Sequence, residues 1–183
     1  LNLANNKNFF ELYIDAIYHR LQNLDYNITK HALNNALMKL AYKELFSENE
    51  EICTQSYVYI FLKNEGVINA QYRIVYPEFL VYFSSQYFLQ NCSWEEAILY
   101  NIIPIIQNSK ELSDLQIQAI NEIFSMYEKI DDIGFILSNL DKLLINEVTS
   151  LQNKVIMNII YQCYKNNIDL FINYLNQIDI NIY

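Results

Sequence analysis
The chain has 183 residues, 52% of them hydrophobic and 18% charged, a balance that excludes intrinsic disorder and suffices for one domain or two small ones with proper cores. Its formal charge of −9 sets a repelling field against nucleic acid, and the sequence offers no basic patch to offset it. With only 2 Gly and 2 Pro, turn-rich all-β folds are disfavoured and long helices with short connections are expected.

Residues 7–24 carry Phe10, Tyr13, Ile14, Ile17, Leu21 and Leu24 at helical spacing, which predicts an amphipathic helix. Residues 29–46 repeat the pattern. There Thr29 is placed to cap the helix, and Leu33, Ala36, Leu37, Leu40, Ala41 and Leu45 form its inner face. Ser47 to Glu51 make an acidic connection. A third helix is expected over Gln55 to Lys63, with Tyr57, Ile60, Phe61 and Leu62, and Gly66 is suited to end it in a left-handed conformation.

Val67-Ile68 and the alternating run Tyr72, Ile74, Tyr76 read as two short strands of a β-hairpin broken at Asn69-Ala70-Gln71. Pro77 has no amide hydrogen to lose and suits the first turn of a following helix. In that helix Phe79, Tyr82, Phe83, Gln86 and Leu89 recur at three- and four-residue steps, while Ser84 and Ser85 are small enough for another helix to come close.

Beyond residue 90 the texture is helical throughout. Ser93-Trp94-Glu95-Glu96 is a capping box opening a helix to about Ile103, where Pro104 interrupts. Ser113-Asp114-Leu115-Gln116 opens another to about Ile130, with Leu115, Ala119, Ile120, Ile123 and Tyr127 inward. Asp131-Asp132 and Gly134 punctuate before a helix over Phe135 to Ile145. Thr149 or Ser150 caps the next, with Val155, Ile156, Ile159, Ile160 and Cys163 inside, and the last spans Ile168 to Gln177. Short breaks between helices of this length suggest α-solenoid, HEAT-like packing, although no fixed repeat period is legible.

The segment YRIVYPEFLVYFSSQYFL, residues 72–89, resembles the end of the winged-helix domain in NACHT-type STAND NTPases, the class that contains the NLR immune receptors. Phe79, Tyr82 and Phe83 match that family's aromatics, and Ser84 and Ser85 stand for its Ala pair. Tyr76 occupies the position of the family's nucleotide-sensing His, while Leu80 and Val81 replace its Gln and Glu. Tyr76 can donate one hydrogen bond but cannot carry an imidazole's charge. Asn8, Glu11, Leu12 and Tyr13 also resemble the helix entering that domain, and LMKLAYKELF its first helix.

The resemblance implies a mainly α fold: a winged-helix-like domain with a short β-hairpin over 1–90, then a solenoid-like helical domain over 91–183. It implies a conformational switch and protein-interaction segment in signalling or defence, with ADP or ATP held by a nucleotide-binding core upstream in a longer parent and an oligomer formed on activation. The alternative is a freestanding helical scaffold that binds a protein partner without nucleotide.

Glycine is too scarce for a P-loop or a dinucleotide cradle, so no nucleotide cofactor is expected within this chain and no enzyme activity of its own. His19 and His31 read as ordinary helix-surface histidines, and adjacent carboxylates such as Glu95-Glu96 diverge on a helix, so no metal or catalytic site is expected. As a DNA reader the third helix would offer only Gln55, Ser56, Tyr57 and Tyr59, with Lys63 at its end and Arg73 on the wing, which are too few cations. Cys53, Cys92 and Cys163 have no paired spacing, no apolar run of membrane length exists, and the first residues lack the apolar stretch of a signal peptide. A cytoplasmic location without a membrane partner is expected.

Overall fold
A computed structural model describes residues 3–23, 27–47, 56–93, 101–108, 112–126, 156–158, 160–161, 165 and 168–177. These residues are mainly helical, and the chain divides into two compact units, Leu1–Ser93 and Trp94–Tyr183.

In the first unit, α1 (Leu3–Gln22) turns Phe10, Ile14, Ile17 and Leu21 inward at steps of four, three and four. Leu24 lies outside the described residues. Helix α2 (Lys30–Phe46) begins at Thr29, whose Oγ1 accepts from the Ala32 N–H at 3.1 Å. All six expected inner residues of α2 are buried, and Met38 joins them. Helix α4 (Pro77–Asn91) packs most extensively on α2, with α1 touching both and α3 (Tyr57–Asn64) resting on α2. Among the described residues, two ion pairs link elements of the unit: Lys30 with Asp15, and Arg20 Nε with Glu65 Oε2 at 2.9 Å.

Helix α3 ends as its sequence predicts. Gly66 has φ of 71°, the Val67 N–H donates to the Leu62 carbonyl at 3.0 Å, and the Gly66 N–H donates to Lys63 at 3.1 Å. This pair of bonds is a Schellman closure, and it brings the buried Val67 and Leu62 to the same helix end. The inward residues of α3 are Tyr59, Phe61 and Leu62, whereas Tyr57 and Ile60 face solvent. Tyr59 is therefore not presented to any groove-reading face.

The expected hairpin contracts to a single antiparallel bridge between Ile68 and Ile74. The reason is the side chain of Asn69, whose Oδ1 accepts from the Gln71 N–H at 2.9 Å and the Arg73 N–H at 3.0 Å and so curls residues 69–73 into a turn. Tyr72 then lies at φ 59°, where a strand cannot continue. Its ring receives the Lys63 ammonium 5.5 Å from the centroid. Only Ile74 of the alternating run is buried. Its N–H donates to Glu44 Oε2 of α2 at 3.2 Å, which pins the turn to the helical core.

In the second unit the Ser113 box closes reciprocally: the Ser113 N–H donates to Gln116 Oε1 at 2.8 Å and the Gln116 N–H to Ser113 Oγ at 3.2 Å. It opens α6 (Asp114–Met126), with Ala119, Ile120 and Ile123 fully buried. Pro104 lies within α5 (Ile103–Asn108), which continues from π-helical residues 101–102; the helix expected ahead of it, over 94–100, lies outside the described residues. A π-type widening is a common accommodation where proline enters a helical run, because its ring clashes with the preceding turn and it lacks a donor. Residues 156–158 and 160–161 are also helical, with Ile156 and Ile160 buried, and Asn158 Nδ2 donates to Asn121 Oδ1 at 2.7 Å. Helix α7 runs Ile168–Gln177. The expected opening of a helix at residues 94–96, the helix over 135–145 and the cap at Thr149 or Ser150 lie outside the described residues, as do Trp94, Cys53 and Cys163.

Burial raises the pKa of Glu44, opposed by its bond from the Ile74 N–H and by the Arg73 charge. The folded state therefore holds this proton more tightly than the unfolded chain, and stability present below the ordinary carboxylate range is lost as pH rises through the raised value. Glu44→Gln keeps an acceptor for Ile74 and removes the charge. Urea unfolding from acid to neutral pH is expected to show wild type losing stability relative to Glu44→Gln as pH rises. An unchanged difference across that range would assign Glu44 no such cost.

Candidate functional site
Tyr76 is the N-cap residue of α4 and Pro77 its first helical residue, so the backbone turns sharply and leaves the Tyr76 ring at the surface, 47% exposed. Tyr76, Phe79 and Phe83 then follow one another down one side of the helix, meeting at steep angles. The Phe79 ring is the hub: it meets Phe10 at 5.2 Å and Tyr13 at 5.0 Å edge-on, Tyr76 at 5.4 Å and Phe83 at 5.8 Å. Tyr82 stacks on Phe10 at 4.5 Å and meets Phe83 edge-on at 5.1 Å. Edge-to-face and offset contacts of this kind align the positive ring edges with negative faces and are each worth about 0.5–1.5 kcal/mol beyond burial.

The residues singled out in sequence thus separate by depth. Phe79 and Phe83 are core rings, Tyr82 is half-buried, and Tyr76 stands at the surface. Ser84 and Ser85 are fully buried, their hydroxyls donating to the Val81 carbonyl at 3.1 and 2.7 Å, so these small polar residues sit in the core without stranding a donor. A second aromatic group closes the other end of α4, where Tyr42 stacks on Tyr87 at 4.3 Å and Phe46 meets the buried Phe88 at 5.4 Å.

Where α1 passes the start of α4, a groove of about 390 Å³ opens, lined by Phe9, Phe10, Tyr13, Tyr76, Glu78 and Phe79. Phe9 is 56% exposed and Leu12, one turn on, 67%. Phe9 and Glu78 are the lining residues that the sequence pattern did not single out. Phe9 follows from its i, i+4 relation to Tyr13, with which it pairs at 6.3 Å, and Glu78 from its place in the first turn of α4. Burial raises the Tyr13 phenol, reinforced by Tyr76 and Glu65 against the lowering effect of Arg20. Burial followed by Glu11 raises the Tyr82 phenol. Both hydroxyls are neutral hydrogen-bonding groups at physiological pH.

A second cavity, of about 180 Å³, also reaches Phe10 and mixes Glu11, Lys30, Asn34 and Gln86 with Met38 and Phe83. His19 and His31 are exposed, and His31 Nε2 lies 2.9 Å from Asn35 Nδ2. Among the described residues no three His, Cys, Asp or Glu side chains converge on a metal-sized site, and no helix is long and apolar enough to cross a membrane. What the groove offers is contact area and ring faces. No family model, curated protein or solved structure matches the chain.

The depth of the two rings predicts opposite outcomes. Phe79→Ala removes the hub and leaves a void, with an expected loss of about 3–5 kcal/mol in urea unfolding. Tyr76→Ala is expected to change stability by less than about 1 kcal/mol, since half the ring is already in water. Equal losses would place Tyr76 in the core.

Proposed function
We propose that the first unit is a protein-docking module whose contact face is the aromatic groove between α1 and the start of α4. The observation that carries this reading is the exposure of Phe9, Leu12, Val75 and Tyr76 around a rigid, ring-packed base. Large exposed aromatics on a packed platform lose little conformational freedom on binding, which is the profile of an interface anchor. The helical half is read, by itself, as solenoid-like.

A photo-reactive phenylalanine at Leu12 should crosslink a partner that the same group at the exposed Lys39 of α2 does not. Titration of that purified partner should then show about tenfold weaker binding for Tyr76→Ala, with stability unchanged. Undiminished affinity for this variant would move the docking face elsewhere.

A second reading places this module as the winged-helix segment of a NACHT-type STAND NTPase, acting as a switch in signalling or defence. It is supported by the order of three helices, a bridged turn and a fourth helix, with Tyr76 at the entry to α4 where the resemblance puts the nucleotide sensor. In a switch of this kind the winged helix makes different contacts in the two nucleotide states, and oligomerisation follows release. Calorimetric titration of ADP and ATP should give binding by the full-length protein of the native coding sequence and none by this chain alone, with Tyr76→Phe weakening it severalfold. Absence of nucleotide binding by the full-length protein would end this reading and leave the docking module.

A further inference from the structure
The composition of the groove is unusual for a purely apolar docking site. Among the described residues, five of its six lining residues are aromatic and the sixth is a carboxylate: Phe9, Phe10, Tyr13, Tyr76 and Phe79 with Glu78, with neither an aliphatic side chain nor a cation. The rings also differ in orientation. Phe9 and Tyr13 are nearly parallel, 26° apart, whereas Phe9 meets Phe10 at 72°, Tyr13 meets Phe79 at 67° and Tyr76 meets Phe79 at 53°. Walls set at steep angles turn π-faces in more than one direction, and each face is the negative pole of a quadrupole.

We propose that this groove is an aromatic cage for an alkylated ammonium group, presented as the methylated lysine side chain of a partner protein. The inference rests on the docking reading and names the group that docks. Methylation spreads the ammonium charge over an apolar shell and weakens its hydration, so ring faces replace water at small cost. Glu78, exposed in the first turn of α4, adds a full negative charge to the lining. Arg20, whose charge reaches Tyr13, is paired with Glu65 at 2.9 Å, which opposes its repulsion of an incoming cation. Leu12, on α1 one turn beyond Phe9, and Val75, next to Tyr76 in the chain, are exposed apolar side chains available to a polypeptide occupant.

The test is calorimetric titration of a short Ser-Gly-Lys-Gly-Ser peptide in three forms: trimethylated lysine, unmodified lysine, and a neutral isostere in which a tert-butyl carbon replaces the trimethylammonium nitrogen. Free choline is titrated in parallel. The trimethylated peptide is expected to bind about tenfold more tightly than the isostere. Phe9→Leu and Tyr76→Leu should each remove most of that preference and Glu78→Gln part of it. Tyr57→Leu, at an exposed α3 position outside the groove, should leave it intact. Circular dichroism reports folding of each variant, and Tyr76→Leu decides the matter where Phe9→Leu does not fold.

Equal binding of trimethylated peptide and isostere overturns the cage and leaves an apolar docking groove. Binding of neither overturns the cage alone, because the crosslinked partner tests the docking face separately. Choline binding as tightly as the peptide overturns the partner-protein source. A preference that survives both Leu variants places the site elsewhere and also overturns the proposal.

Discussion
The first unit depends on the burial of α4. Helix α4 buries Phe79, Leu80, Val81, Phe83, Ser84, Ser85 and Phe88, a set that covers far more than one stripe, so α4 is a central element and not a surface one. Two consecutive serines make this feasible. They occupy little volume and satisfy their own hydroxyls at the Val81 carbonyl, so a neighbouring helix can come close without a stranded donor. The dominant contact of α4 with α2 fixes the angle at which its first turn emerges, and Tyr76 and Glu78 inherit their positions from it.

The turn ahead of α4 belongs to the same arrangement. A full hairpin would carry Tyr72 and Arg73 away from the core as an edge strand with unpaired backbone groups. The Asn69 side chain satisfies two of those groups within the turn, and Glu44 reaches out from α2 to take the Ile74 N–H. The link between α3 and α4 is consequently short, closed and anchored. That geometry points Tyr76 toward α1, where Phe79 ties it to Tyr13 and Phe10.

The docking role proposed for this scaffold is a matter of surface chemistry. The ring cluster supplies rigidity at its base and exposed faces at its lip, a combination in which little side-chain entropy is lost on contact. A carboxylate in the first turn of α4 stabilises the helix dipole and places a formal charge at the groove.

The sequence by itself determined the presence of the helices of the first unit, several of their ends, and the start of one helix in the second. Thr29, Gly66, Pro77 and the Ser113-Gln116 pair act through bonds or dihedral limits within a few residues of themselves, so their roles are legible without a fold. The inner faces of α1 and α2 follow from periodicity for the same reason. Only the tertiary structure decided what became of the alternating run at 72–76, since the pull of Asn69 on Gln71 and Arg73 and the reach of Glu44 across 30 residues outweigh strand propensity there. The site was half legible: the aromatics of α4 were marked by their spacing, but periodicity does not tell a buried Phe79 from an exposed Tyr76. That distinction, and the meeting of Phe9 with Glu78 at one groove, arise from helices distant in sequence being packed at a fixed angle.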